Sequence, residues 1–223
     1  MRIRRTLATA TLAAIALTGA AVAPAQADAT AVLTTGSLGG PNVSVGDVLT
    51  ANLVSGTYAT FYSSSTGTSG IKCAASSFSA TVTANPAAPG SAVEQLNTQT
   101  FGSCTSNVFG VTSVRSVTVT NLPFTNTVSD DPGYPVALTP GAAGSMGTTV
   151  VLGTILGSVT CKYSNTTGIA GTTDNGANSI GFSAQPFALV SGPGLCFSTG
   201  YFSATYGPVS DSSVAGSPLL YVN

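Results

Sequence analysis

Histidine and tryptophan are absent from the chain, and charge is nearly so, with six Lys and Arg and seven Asp and Glu among 223 residues. Each absence closes a class of chemistry. Without His there is no Ser-His-Asp or Cys-His catalytic set, because no base of near-neutral pKa is left. Zinc, copper and haem iron sites draw mainly on imidazole or free thiolate, so no metal and no cofactor is expected. Without Trp the best side chain for stacking on a sugar ring is missing. Three of the six bases, Arg2, Arg4 and Arg5, fall in the first five residues, leaving Lys72, Arg115 and Lys162 against seven carboxylates, a balance of −4. That sign disfavours nucleic acid and an anionic membrane surface as partners.

Low charge here does not mean disorder. Disordered chains are poor in apolar residues, whereas this one is 43% hydrophobic and places those residues in alternating runs. Abundant Thr, Ser and Val suit β-sheets whose outer faces carry hydroxyls. No segment of helical length has a 3.6-residue period. The expected fold class is all-β, an antiparallel two-sheet β-sandwich.

Residues 1–27 read as a removed signal peptide: the three arginines precede an Ala/Leu/Thr-rich run that closes on Ala25-Gln26-Ala27, placing cleavage before Asp28. The run is too short and too rich in Ala and Thr for a membrane anchor, so no transmembrane segment is expected in the mature form. Arg4-Arg5 is a twin arginine, but Thr6-Leu7 matches that pathway poorly, so general secretion fits better and the twin-arginine route stays open. The expected location is extracellular, free or loosely held to the cell wall.

The cysteines are four, Cys73, Cys104, Cys161 and Cys196, an even number in an exported chain. Of three pairings, order along the chain favours Cys73 with Cys104 and Cys161 with Cys196, each pair closing a local unit of one half. The loop-entropy model assigns each about 3.5–4 kcal/mol, as an upper figure.

The stretch Thr149 to Tyr163 reads as one long strand, with Gly153 and Gly157 as bulges. Phe78, Ala80, Val82 and Ala84 alternate with Ser79, Thr81 and Thr83 as a half-buried strand. Residues 28–41 suggest a loose arm or edge strand, 91–100 carry no decisive pattern, and 165–178 read as a long loop. Pro123 to Pro140 holds four prolines, a density that argues against a sheet and for a surface connection. The domain reading is therefore a single domain, 28–223, with halves of about 28–122 and 141–223 joined there. An echo of Lys72-Cys73, Gln99-Thr100-Phe101 and Cys104 in Cys161-Lys162, Gln185-Pro186-Phe187 and Cys196 hints at duplicated halves.

No catalytic residue is expected. Ala143 to Gly147 resembles a nucleophile elbow only if its first glycine is forgiven, and it lacks a base. Lys72 and Lys162 could serve a serine, but each adjoins a cysteine on a strand, where a solvated face is the simpler reading. Asp130 and Asp131 are adjacent, so their side chains diverge and suit a turn or a weak calcium contact better than a glycosidase pair. Asp174-Asn175-Gly176 is a turn signal. Alternation puts Phe202, Ala204 and Tyr206 on a core face and Tyr201 on the other. The candidate surface-binding residues are thus Asp130, Asp131, Tyr134 and Tyr201.

The segments TTVVLGTILGSVTCKY, GPGLCFSTGYFSATYGPV, NPAAPGSA, QTFGSCTSNVFGV and NLPF resemble a group of small secreted actinobacterial proteins labelled only by a twin-arginine-type signal sequence. The resemblance spans the mature chain and implies an exported β protein; it supplies no functional residues. The expected function is non-enzymatic, exercised through surface interactions. The alternatives are a carbohydrate- or cell-wall-binding module, using the tyrosines and the 123–140 loop on wall polysaccharide, and a secreted protease inhibitor presenting that loop to another protein.

Overall fold

In a computed structural model, which describes residues 29–223, alternating Thr/Ser and apolar residues build strands throughout and no helix forms among the described residues. The signal-segment reading of 1–27 and its cleavage before Asp28 lie outside those residues. In chain order the strands are β1 (Leu33–Thr35), β2 (Val48–Asn52), β3 (Ala59–Tyr62), β4 (Gly70–Ala84), β5 (Ser91–Ser106), β6 (Val111–Thr120), β7 (Phe124–Ser129) and β8 (Pro135–Thr139). There follow β9 (Met146–Thr154), β10 (Gly157–Asn165), β11 (Ile169–Asp174), β12 (Ser179–Ser191), β13 (Thr199–Tyr206), β14 (Ser210–Asp211) and β15 (Leu220–Val222).

The two-sheet sandwich is not what forms. Eight strands hydrogen-bond in the closed order β11-β8-β7-β5-β4-β3-β13-β12, and β12 returns to β11, completing an antiparallel β-barrel. Closure removes the free edges that a sandwich must protect. The long strands serve two levels. The first part of β12 pairs with β11, whereas Ala188 to Ser191 pairs with β10, which continues through β9 to β6. The sheet β10-β9-β6 thereby covers the upper half of the barrel. There β6 runs beside the second half of β5 with no ladder between them, leaving a seam.

The expected 78–84 strand is present as the second half of β4, with Ala80 and Val82 buried. Its outer face meets β5 through hydroxyl pairs, Ser77 with Thr100 and Ser79 with Thr98, each 2.8 Å apart. Both disulfides form as the chain order implied, Cys73–Cys104 and Cys161–Cys196. The first joins directly opposed residues of β4 and β5; the second ties β10 to the segment after β12.

Several local expectations are corrected. Thr149 to Tyr163 is two strands, β9 and β10, joined by the two-residue turn Ile155-Leu156. Leu152 faces Val159 and Val150 faces Cys161 across this hairpin, so an even-numbered apolar face on one strand continues as an odd-numbered one on the next. That change of phase is the mark of a tight turn, not of a two-sided strand. Gly157 closes it at φ +123°, a conformation open to glycine. The proline-rich 123–140 stretch contains β7 and β8; Pro123 and Pro140 flank them, Pro132 is in the turn and Pro135 opens β8, so no proline breaks a ladder. Residues 91–100 are the first two-thirds of β5, and 165–178 contains β11. The expected loose arm is held tightly: Val32 and Leu33 are fully buried, and Asn85 accepts from the Leu33 N–H and donates to its carbonyl.

Candidate functional site

The barrel interior holds a cavity of about 90 Å³, walled by side chains from every ring strand and from β6 and β9. Its wall is overwhelmingly apolar and aromatic. Phe101 meets Phe202 edge-on at 6.2 Å between ring centroids, Phe182 lies 6.3 Å from Phe202, and Phe78 meets Tyr206 edge-on at 5.4 Å. Such edge-to-face contacts fix ring positions beyond what apolar burial alone would do.

Two polar groups interrupt this wall. On β5, Ala92, Glu94 and Leu96 point inward and are all buried; on β7, so are Phe124, Asn126 and Val128. Glu94 and Asn126 oppose each other in the β5–β7 ladder, and the Asn126 amide donates to a Glu94 carboxylate oxygen at 2.8 Å. Burial raises the Glu94 carboxyl from its ordinary 4.5 to about 7, and the amide's bond offsets only part of that. The amide oxygen of Asn126 is buried with no hydrogen-bond partner among the described residues. This end of the cavity thus presents one carboxyl half-protonated near neutral pH and one unsatisfied acceptor.

The second polar group is self-contained. Ser76 donates to the Thr100 carbonyl at 2.6 Å and accepts from Tyr206 at 2.9 Å and Gln99 at 2.8 Å; the Gln99 amide also donates to the Tyr206 oxygen at 2.8 Å. Burial pushes the Tyr206 phenol up to about 12, keeping it a donor. Gln99 and Phe101 on β5 and Val117 and Val119 on β6 border the unladdered seam, are partly exposed, and also line the cavity.

The residues singled out from sequence lie elsewhere. Asp130, Asp131 and Tyr134 share the β7–β8 turn, where Asp130 accepts the Gly90 N–H at 2.9 Å and Asp131 accepts the Ser129 hydroxyl at 2.8 Å. Tyr134 is half-buried, and its carbonyl accepts the Thr173 N–H at 2.9 Å. Tyr201 is three strands round the ring, on the outer face of β13 opposite Tyr62 of β3. Beside Tyr62 is a cleft of about 270 Å³ bordered by Gly70, Lys72 and Asn107, with the Lys72 ammonium 4.8 Å over the Tyr58 ring. Ser145 lies in the turn before β9, and Asp174 accepts the Gly176 N–H at 2.7 Å as a turn.

Sequence reading missed Glu94 and Asn126. The signal was a polar residue in the apolar phase of an alternating strand, Ala92-Glu94-Leu96 and Phe124-Asn126-Val128. It is masked because 91–100 carry no decisive strand pattern and the prolines of 123–140 point to a connection.

The chain matches no protein-family model, no curated protein and no solved structure.

Proposed function

We propose that this chain is an exported protein that works by binding, without catalysis of its own, and that the barrel interior is its binding site. The guest is a short apolar molecule with one hydroxyl end. The observation that carries this is the Glu94–Asn126 pair, a buried carboxyl and an unsatisfied amide oxygen at one end of an apolar cavity. Ligand sites are typically apolar hollows with a few such polar groups to set orientation. A cavity of about 150 Å³ holds the six carbons of benzene, so 90 Å³ takes about four non-hydrogen atoms, the remainder of a longer chain passing through the seam. Both disulfides are consistent with an oxidising, extracellular compartment, and export with loose attachment to the envelope extends that reading.

The test is a methyl NMR titration with 1-pentanol. Saturable shifts at Leu96, Val117, Val119 and Val150 are expected, weakened by Glu94→Ala. Methyl signals that do not move, or that move linearly without saturation, overturn the proposal.

A second reading keeps one specific observation, the neighbouring Tyr62 and Tyr201 beside the Lys72 cleft. A polysaccharide platform there predicts retention on cell-wall material that Tyr201→Ala abolishes. The protease-inhibitor reading loses its loop, since 123–140 is occupied by β7 and β8.

A further inference from the structure

The three most exposed large apolar side chains of the described residues are Phe109 at 97%, Leu156 at 94% and Ile155 at 86%, and all three occupy turns between strands at one end of the molecule. Phe109 lies in the β5–β6 turn and Ile155-Leu156 form the β9–β10 turn. The β6–β9 ladder sets these turns side by side, since Val111, two residues after Phe109, pairs with Thr154, one residue before Ile155. Single exposed apolar residues need no explanation, but adjacent tips that bare Phe, Ile and Leu form a protruding apolar point.

Charge is sorted along the same axis. The guanidinium of Arg115 lies against Gly153, two residues from Ile155, and Lys72 pairs with Thr105, four residues from Phe109. Strands β6, β9 and β10 carry Arg115 and Lys162 and no carboxylate. The carboxylates of the described residues lie toward the opposite end of the long strands. Asp130 and Asp131 follow Ser129, the partner of Ser91 at the start of β5, and Asp174 neighbours Thr173, which bonds to Tyr134 of the same turn. Asp47 bonds through its carbonyl to Val82, the ladder partner of Glu94, and Asp211 pairs with Leu49 nearby. The three cations and six carboxylates of residues 29–223 are thus sorted into a basic, apolar end and an acidic one.

We infer that the Phe109 and Ile155-Leu156 tips insert into the surface of an anionic lipid bilayer, with Arg115 and Lys72 against the headgroups and the acidic end held away. Protruding tips suit penetration of a yielding interface, where apolar side chains leave water as flanking cations meet anionic headgroups. A flat protein partner would contact the points and leave the space between them unfilled. This inference is independent of what the barrel interior binds.

Because the chain has no Trp, Phe109→Trp provides a single fluorescent reporter. Mixed with phosphatidylglycerol-containing vesicles at low salt, its emission is expected to shift to the blue and the protein to sediment with the vesicles. Pure phosphatidylcholine is expected to retain far less. Serine at both Ile155 and Leu156 is expected to weaken partition more than tenfold, and Arg115→Gln about fivefold. These side chains are exposed, so an unchanged melting temperature will confirm folding. An unshifted emission, equal retention on neutral vesicles, or partition indifferent to these substitutions overturns the inference. So does sedimentation velocity showing a dimer that the serine variant abolishes while vesicles are ignored, since the tips then serve a second copy.

Discussion

Glu94 is the residue on which the interior turns. It is 2% exposed and faces an amide rather than a cation, so its ionised form is disfavoured and its carboxyl titrates at about 7 instead of 4.5. Between those values the folded protein holds a proton that the unfolded chain releases. Stability therefore falls as pH rises from about 4.5 to about 7 and levels off above. The size of the fall from this group is about 3 kcal/mol. Asp211, fully buried, is raised chiefly by desolvation, with Asp47 adding to the rise and the Ser213 N–H opposing it; it contributes a slope of the same sign. Urea unfolding across pH 4–8 should show the decline, and Glu94→Gln, which keeps a partner for Asn126, should remove the part due to Glu94. An equal slope in the variant would contradict the assignment.

At the scale of elements, the crowded positions are as informative as the open ones. Gly200 of β13 sits under the Phe61 ring, where a Cβ would fall 2.0 Å from two ring carbons. Phe61 cannot swing away, being held edge-on by Tyr163 at 4.8 Å and Phe187 at 6.1 Å. Together these side chains join β3, β13, β10 and β12, where the upper sheet meets the ring. The Cys161–Cys196 bond fastens β10 to the segment between β12 and β13, and Cys73–Cys104 fastens β4 to β5. Non-reducing peptide mapping should recover these two linked pairs. A peptide joining Cys73 to Cys161 would refute both the pairing and the division into local units. The cysteine pairing was legible because each partner lies within one local stretch, 31 and 35 residues apart. The β9–β10 turn also leaves a mark in the sequence, the shift of apolar residues from even to odd positions, but the same shift fits a change of environment along one strand.

For the whole molecule, removal of 1–27 would leave Asp28 as the first residue. Intact mass and N-terminal sequencing of the exported protein should find it there, and full-length chain recovered in membranes would oppose it. The sequence alone determined that the chain is all-β, which residues of β4 face inward, that hydroxyls cover its outer face, and how the cysteines pair. These follow from alternation and order, which are local. Only the tertiary structure decided that the sheet closes, because closure is the pairing of β11 with both β8 and β12, and no local pattern records which edges meet. The β5–β7 pairing makes Glu94 and Asn126, 32 residues apart, neighbours, and closure places them in the interior. It also aligns the long strands so that cations and bare apolar tips gather at one end, since strand direction and register, not composition, set where each side chain lies along the barrel.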